Sequence, residues 1–150
     1  MRERRSNTLS QRERAWGAGR RYMDLIEILK GWLMGFPGWE GGLDIDATGE
    51  KPGSCGLFPL GAQELSRRED VLGNVRRRLR CAFALRRVAL HGPEAAEYLL
   101  ELCRWIGEQP PPKIGENTRI RGEKGTMVKL CQTGTATYEM KIILEYDKEN

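Results

Sequence analysis

The longest regular pattern in the chain is an alternation of apolar and basic side chains over residues 74–87. Apolar residues occupy odd positions and arginines occupy even ones: Val75, Leu79, Cys81, Phe83 and Leu85 against Arg76, Arg78, Arg80 and Arg86. Successive side chains of a β-strand point to opposite faces, so the pattern predicts a long strand with one core face and one arginine face. Arg77 and Arg87 are the two exceptions on the apolar side.

Two segments repeat apolar residues at helical spacing instead. The first is predicted to be capped by Asp24 and to stop at the glycines and proline of residues 35–38, and the second begins at Pro93 and Glu94. Their apolar stripes are Leu25, Ile28, Leu29 and Trp32 in the first helix, and Ala95, Leu99, Leu102, Cys103 and Ile106 in the second. His91, the single histidine of the chain, precedes the second helix and is predicted to cap it or to face solvent.

The remaining apolar patterns predict a short strand and a C-terminal hairpin. Residues 43–47 alternate with Asp44 and Asp46 outward, and the hairpin joins residues 126–131 to 135–146. Residues 48–70 are rich in glycine and proline and are predicted to form a long loop, in which Leu57 and Phe58 either anchor the loop to its own chain or dock on a neighbour. The order predicts an α+β domain whose antiparallel or mixed sheet has a long central strand and packs against two helices.

The positive charge of the chain is concentrated at its start. The 150 residues carry a net charge of +4, but residues 1–22 hold seven arginines and two glutamates. The remainder has 18 basic and 19 acidic residues, a net charge of −1, so the body of the protein is nearly neutral. We expect residues 1–22 to be a basic, disordered extension and residues 23–150 to form a single domain.

The sequence offers no catalytic constellation, and we expect a protein that is not an enzyme and holds no cofactor or metal. The four cysteines are widely spaced, which argues against a zinc site and a disulfide framework. The segment Gly122-Glu-Lys-Gly-Thr126 lacks the residue order of a phosphate-binding loop. Asp44 and Asp46 are more typical of a solvated strand face than of a cation site. No apolar run approaches the about 20 residues of a membrane span.

Several linked segments resemble the minor capsid proteins of tailed-phage and prophage structural clusters, a family that is similar to tail terminator, or tail completion, proteins. The segments are Pro52-Gly-Ser-Cys-Gly-Leu-Phe-Pro59, Glu64-Leu-Ser-Arg-Arg-Glu-Asp-Val-Leu-Gly-Asn74, Phe83-Ala-Leu-Arg-Arg87 and Thr133-Gly-Thr-Ala-Thr-Tyr-Glu139. The likeness spans about residues 24–146 and leaves residues 1–22 uncovered. It implies a tail-terminator-like domain.

The resemblance implies a virion protein of the head-tail junction, made in the host bacterial cytoplasm. Such a protein forms a ring, commonly a hexamer, that caps the tail tube and joins it to the head connector protein. Its partners are other copies of itself, the tail-tube protein and the connector, with nucleic acid present only as passing genome DNA. Candidate interface residues are the arginines Arg76, Arg78, Arg80, Arg67 and Arg68, the acids Asp44, Asp46, Glu139 and Glu145, and the apolar Leu57 and Phe58.

Two other interpretations stay open from the sequence. The arginine strand and the basic N-terminal segment are also compatible with a nucleic-acid-binding module that contacts phosphates. The near-neutral body and the lack of a DNA-binding or RNA-binding signature argue against that function. A head-tail connector adaptor is the second alternative, and the sequence does not separate it from a tail terminator.

Overall fold

A computed structural model describes residues 22–39, 42–49, 51–90, 92–130 and 135–149. The elements run in the order α1 (Tyr22–Leu33), β1 (Leu43–Ile45), β2 (Cys55–Glu69), β3 (Val75–Ala89), α2 (Gly92–Glu108), β4 (Glu116–Leu130) and β5 (Ala136–Glu149). Residues 1–21, which include most of the predicted N-terminal extension, lie outside the described residues. So do His91 and the predicted hairpin turn at 132–134.

The five strands form one mixed sheet in the order β1-β2-β3-β5-β4. β1 is parallel to β2, and every other neighbouring pair is antiparallel. The predicted α+β class, the long central strand and the C-terminal hairpin of β4 and β5 are therefore confirmed. Because β3 has a partner along both edges, its side chains meet those of two neighbouring strands.

Both helices cover one face of the sheet, and the core lies between them and that face. The odd positions of β3 are buried as predicted, with Leu79, Cys81, Phe83 and Leu85 at most 1% exposed. They join buried residues of β5 such as Ile142 and Leu144, and the helical stripes that include Leu29 and Leu102. We call this side of the sheet the inner face and the opposite, arginine-bearing side the outer face.

The predicted long loop over residues 48–70 is wrong, because most of it is strand β2. The glycines and the proline that suggested turns lie at positions where a strand can accommodate them. A side chain at Gly56 would clash with the backbone of Ala47, and Gly61 follows a register shift in the pairing with β3. Pro59 lies beyond the three-residue pairing with β1, where its missing N–H removes no bond to that strand.

Several element boundaries also differ from the prediction. β1 ends at Ile45 because Asp46 has a positive φ of 61°, and Ala47 is exposed instead of facing inward. Asp24 lies inside the first turn of α1, where its charge favours the helix dipole, instead of preceding the helix. β4 begins at Glu116, ten residues before the predicted strand, because it pairs along nearly the whole length of β5.

Candidate assembly interface

The outer face carries a ladder of ion pairs between β3 and β5. The antiparallel register sets an acid opposite each of four arginines: Arg76 and Glu149, Arg78 and Asp147, Arg80 and Glu145, Arg86 and Glu139. Arg80 donates to Glu145 at 2.9 Å, and Arg86 donates to Glu139 at 2.9 Å. Alternation on both strands places these side chains on one face, and opposite charges across two strands attract.

Asp147 has several partners in this ladder. It accepts hydrogen bonds from Arg78 at 2.8 Å, Asn117 at 2.8 Å and Arg76 at 3.3 Å. Burial acts to raise the pKa of Asp147, but the hydrogen bonds from Asn117 and Arg78 and the charges of both arginines lower it overall. The sequence prediction ended the last strand at residue 146 and so missed this carboxylate, although Glu139, Lys141 and Glu145 begin the alternation that leads to it.

The strand arginines proposed from sequence as interface residues therefore have partners in their own chain. Arg78 also lies 3.6 Å from Glu145, and Arg76 lies 2.7 Å from Glu116 on β4. A contact of these arginines, or of Glu139 and Glu145, with another subunit stays a prediction. Their charge is already largely balanced within the sheet.

Leu57 and Phe58 point to opposite faces of β2. Leu57 is fully buried in the core. It therefore anchors its segment to its own chain, which is one of the two predicted alternatives, and does not dock on a neighbour. Phe58 lies half-buried on the outer face, where the guanidinium of Arg86 is 4.6 Å from its ring centroid. This distance is within the range of a cation–π contact, which ties β2 to β3.

The two exceptions to the alternation of β3 lie on the inner face. Arg87 is only 3% exposed, and its guanidinium lies 3.6 Å from the ring centroid of Tyr98 on α2. It also donates to the carbonyl of Gly53 at 3.4 Å. Arg77 lies 3.9 Å from Glu64, with 12% of its side chain exposed. Arg87 joins the sheet to α2 and to the segment before β2, Arg77 pairs with the neighbouring strand, and both are largely withdrawn from solvent.

Asp44 and Asp46 lie at the β1 edge of the sheet, away from most of the ion-pair ladder between β3 and β5. Asp44 is exposed and pairs in register with Gly56, which pairs in turn with Arg86. Asp46 is exposed beyond the end of β1. The structure thus separates both acids from Arg78 and Arg80, which occupy the opposite half of β3.

The second half of β2, the turn that follows it and the first residues of β3 form a hairpin arm, defined here as residues 63–77. Residues 63–74 are exposed, whereas the first residues of β2 are buried. The turn at the tip is held by Asp70, which accepts the N–H groups of Leu72 at 2.8 Å and Asn74 at 2.9 Å. This ordered turn displays two apolar side chains to solvent, with Val71 101% and Leu72 83% exposed.

The arm also carries exposed arginines and acids. Arg67 and Arg68 are exposed and take part in no ion pair among the described residues. In register they lie opposite Arg77 and Arg76. Like charges directly opposite each other destabilise a strand pair. Because Glu69 and Asp70 are exposed next to these arginines, the arm combines charges of both signs with an exposed apolar tip.

Reactive chemistry is weak in the part of the chain that the structure describes. Among these residues no group of three or more histidine, cysteine, aspartate or glutamate side chains could hold a metal ion. Burial raises the pKa of the Cys81 and Cys103 thiols, which keeps both protonated and poorly nucleophilic. A cleft of about 470 Å³ between the end of α2 and β4 is lined by Arg119 and Glu145 among others. No helix in the described ranges is long and apolar enough to cross a membrane.

The outer face thus carries a ladder of paired charges, and the arm carries an exposed apolar tip beside charges of both signs. Comparison with protein-family models finds no match to this chain, and comparison with curated proteins finds none either.

Proposed function

We propose that this protein is a tail terminator of a tailed phage or prophage. It forms a ring that caps the tail tube and joins it to the head connector, and it performs no catalysis. The ring is a hexamer, and its place is the head-tail junction of the virion. The proposal rests on the resemblance of several sequence segments and on one structural observation, the exposed hairpin arm.

The arm supports an assembly function because its side chains contribute little to the core of their own chain. The segment from Glu64 to Asn74, which resembles the minor capsid family, covers most of the arm and its tip. Exposed apolar residues that lie together are typical of surfaces that another protein covers. Val71 and Leu72 are such residues, and the turn that presents them is held by Asp70.

The nucleic-acid alternative has less support. A protein that binds phosphates gains affinity from arginines whose charge is available. Arg76, Arg78 and Arg80 instead contact carboxylates of β5 within their own chain. We expect no binding of duplex DNA even at about 50 mM salt, where electrostatic binding is strong.

A tube-assembly experiment tests the proposed function. The purified full chain is mixed with polymerising tail-tube protein from the same phage or prophage, and tube lengths are measured by electron microscopy. A terminator arrests growth, so tubes should become shorter and uniform as its concentration rises, with extra density at one end. Tubes of unchanged length would contradict the proposal, and binding to the head connector alone would favour an adaptor.

The control is the same mixture with the arm-reversed variant Arg67→Glu/Arg68→Glu. Both positions are exposed and unpaired among the described residues, so the fold is expected to persist. Arrest of growth by the natural chain and not by this variant would link the activity to the arm.

A further inference from the structure

We propose that the arginine-rich segment of residues 1–21 binds, within its own chain, the outward face of α2 and the tryptophans beside that face. The segment contains seven arginines, two glutamates and no lysine, and it leads directly into α1 at Tyr22. A surface that suits it offers carboxylates to the guanidinium groups and aromatic rings to their flat faces. This contact goes beyond the proposed ring and does not depend on it.

The outward face of α2 offers the carboxylates. Four glutamates of this helix are exposed and lie along one stripe at spacings of three, four and seven residues: Glu94, Glu97, Glu101 and Glu108. None of them takes part in an ion pair with another residue that the structure describes. Arg104, the one basic residue of α2, offsets one of these four charges. Like charges one turn apart repel each other, so a basic partner would stabilise this face.

Two tryptophans border the glutamate stripe on the side of α1. Trp105 follows Glu101 by four residues and precedes Glu108 by three, so it projects next to both carboxylates. Its ring packs against that of Trp32 on α1, with the centroids 5.1 Å apart, and both side chains are partly exposed. The Nε1 of Trp32 donates to the carbonyl of Pro110 at 2.9 Å, which fixes the ring. Carboxylates beside aromatic rings favour arginine over lysine, because a guanidinium binds both.

Residues 1–21 can reach this whole surface. Tyr22 and Trp32 are ten residues apart on α1, which separates them by about 15 Å along the helix axis. The glutamate stripe is about 21 Å long by the same rise per residue. An extended chain of 21 residues spans up to about 70 Å. Because the segment is covalently attached, it meets the surface at an effective concentration on the order of millimolar.

The two arginine clusters that the structure describes are less suited to this surface. The arginines of the β3 ladder already contact carboxylates of β5. Arg67 and Arg68 of the arm lie next to the exposed acids Glu69 and Asp70. The segment of residues 1–21 keeps five positive charges in excess and is attached to the helix that carries Trp32. Charge complementarity and attachment therefore select this segment as the occupant.

Trypsin digestion of the full chain tests the contact, because trypsin cleaves after arginine and a bound segment is protected. Cleavage after Arg12 and Arg14 is followed by mass spectrometry in about 50 mM salt, where charge interactions are weakly screened. The helix-neutral variant is Glu97→Gln/Glu101→Gln/Glu108→Gln. It should be cleaved at these two sites at least about fivefold faster than the natural chain, because the attached segment loses its charged partners. In about 1 M salt the two rates should become similar, since the Debye length falls to about 3 Å.

A second variant changes only the segment and leaves residues 22–150 as they are. It is Arg4→Gln/Arg5→Gln/Arg20→Gln/Arg21→Gln, which retains both cleavage sites. It should also be cleaved faster than the natural chain, and this result does not depend on the folding of an altered helix. The matched control removes three exposed negative charges away from α2, as Asp44→Asn/Asp46→Asn/Glu69→Gln, and should be cleaved like the natural chain.

Protection of Arg12 and Arg14 that either of the first two variants leaves intact would overturn the proposed contact. So would a control that is cleaved as fast as the helix-neutral variant, because total charge and not the face of α2 would then set the rate. Protection that disappears on dilution to monomer would assign the segment to a neighbouring copy and overturn the intramolecular contact. These outcomes leave the proposed ring untouched, since the ring is tested by native mass.

Discussion

Replacing Glu145 with glutamine tests whether the outer ladder holds the fold together. Glu145 lies 2.9 Å from Arg80, 3.6 Å from Arg78 and 3.8 Å from Arg121, and only 14% of its side chain is exposed. Glutamine keeps the shape and one acceptor oxygen but removes the charge. Arg80 then loses its charged partner, whereas Arg78 keeps Asp147 at 2.8 Å.

The size of the effect follows from these contacts. An exposed ion pair contributes about 0.2–1 kcal/mol, and the contact with Arg80 belongs at the upper end because two nitrogens approach one shielded oxygen. The two longer contacts add a few tenths of a kcal/mol each. We expect Glu145→Gln to lower the free energy of unfolding by about 1–2 kcal/mol. The matched control Glu139→Gln removes one contact, with Arg86, and should cost about 0.5–1 kcal/mol.

Urea unfolding of the dilute protein measures both changes as shifts of the midpoint. In about 1 M salt the Debye length falls to about 3 Å, so the deficit of Glu145→Gln should shrink clearly. A deficit no larger than that of Glu139→Gln, or one that salt leaves unchanged, would refute the assignment of Glu145 as the shared partner of several arginines.

Three further changes probe other parts of the fold. Asp147→Asn removes a carboxylate whose pKa lies below its ordinary value of 3.8. The ionised carboxylate stabilises the folded state above that pH, and this contribution is lost as the pH falls through the lower pKa of the folded state. Urea midpoints at neutral pH and at about pH 3 should therefore show the deficit of the variant shrinking in acid. Gly122→Ala would place a methyl group 2.7 Å from the end of Met140 and 3.0 Å from the Cys103 sulfur, and overpacking should cost about 1–3 kcal/mol by urea unfolding. Phe83→Ala empties a fully buried site and should cost about 3–5 kcal/mol by the same measurement.

The central strand and both helices were predictable because their side chains have one buried side. Burial of Phe83 and Leu85 on β3 forces a period of two, and burial of Leu99 and Leu102 on α2 forces a helical period. These periods are visible in the sequence regardless of which elements pack against the strand or the helix. Arg87 broke the pattern because its guanidinium is accommodated beside Tyr98 inside the protein.

β2 was not predictable from pattern alone. Its second half is exposed on both faces, so no alternation is imposed there. Its first half uses Gly56 for close approach of another backbone and Gly61 next to a register shift, and both read as turn residues in the sequence. The available signal was the turn between Asp70 and Asn74, where Gly73 has a φ of 88° directly before the long strand.

The candidate interface was predictable only in part. The arginines of the central strand stood out, but their partners depend on β5 lying beside β3, which the local pattern does not determine. Glu145 and Asp147 balance Arg78 and Arg80, so the candidate surface is instead the exposed arm that carries Arg67. The sequence contained this residue among its candidates but gave no reason to rank it first.

The native mass of the full chain in solution tests most directly the central claim that copies assemble into a closed ring. Analytical ultracentrifugation over a range of concentrations should show one discrete assembled species, with six times the mass of a single chain, in exchange with monomer. A chain that sediments as a monomer at every concentration, or that forms open-ended polymers without a preferred size, would contradict the claim.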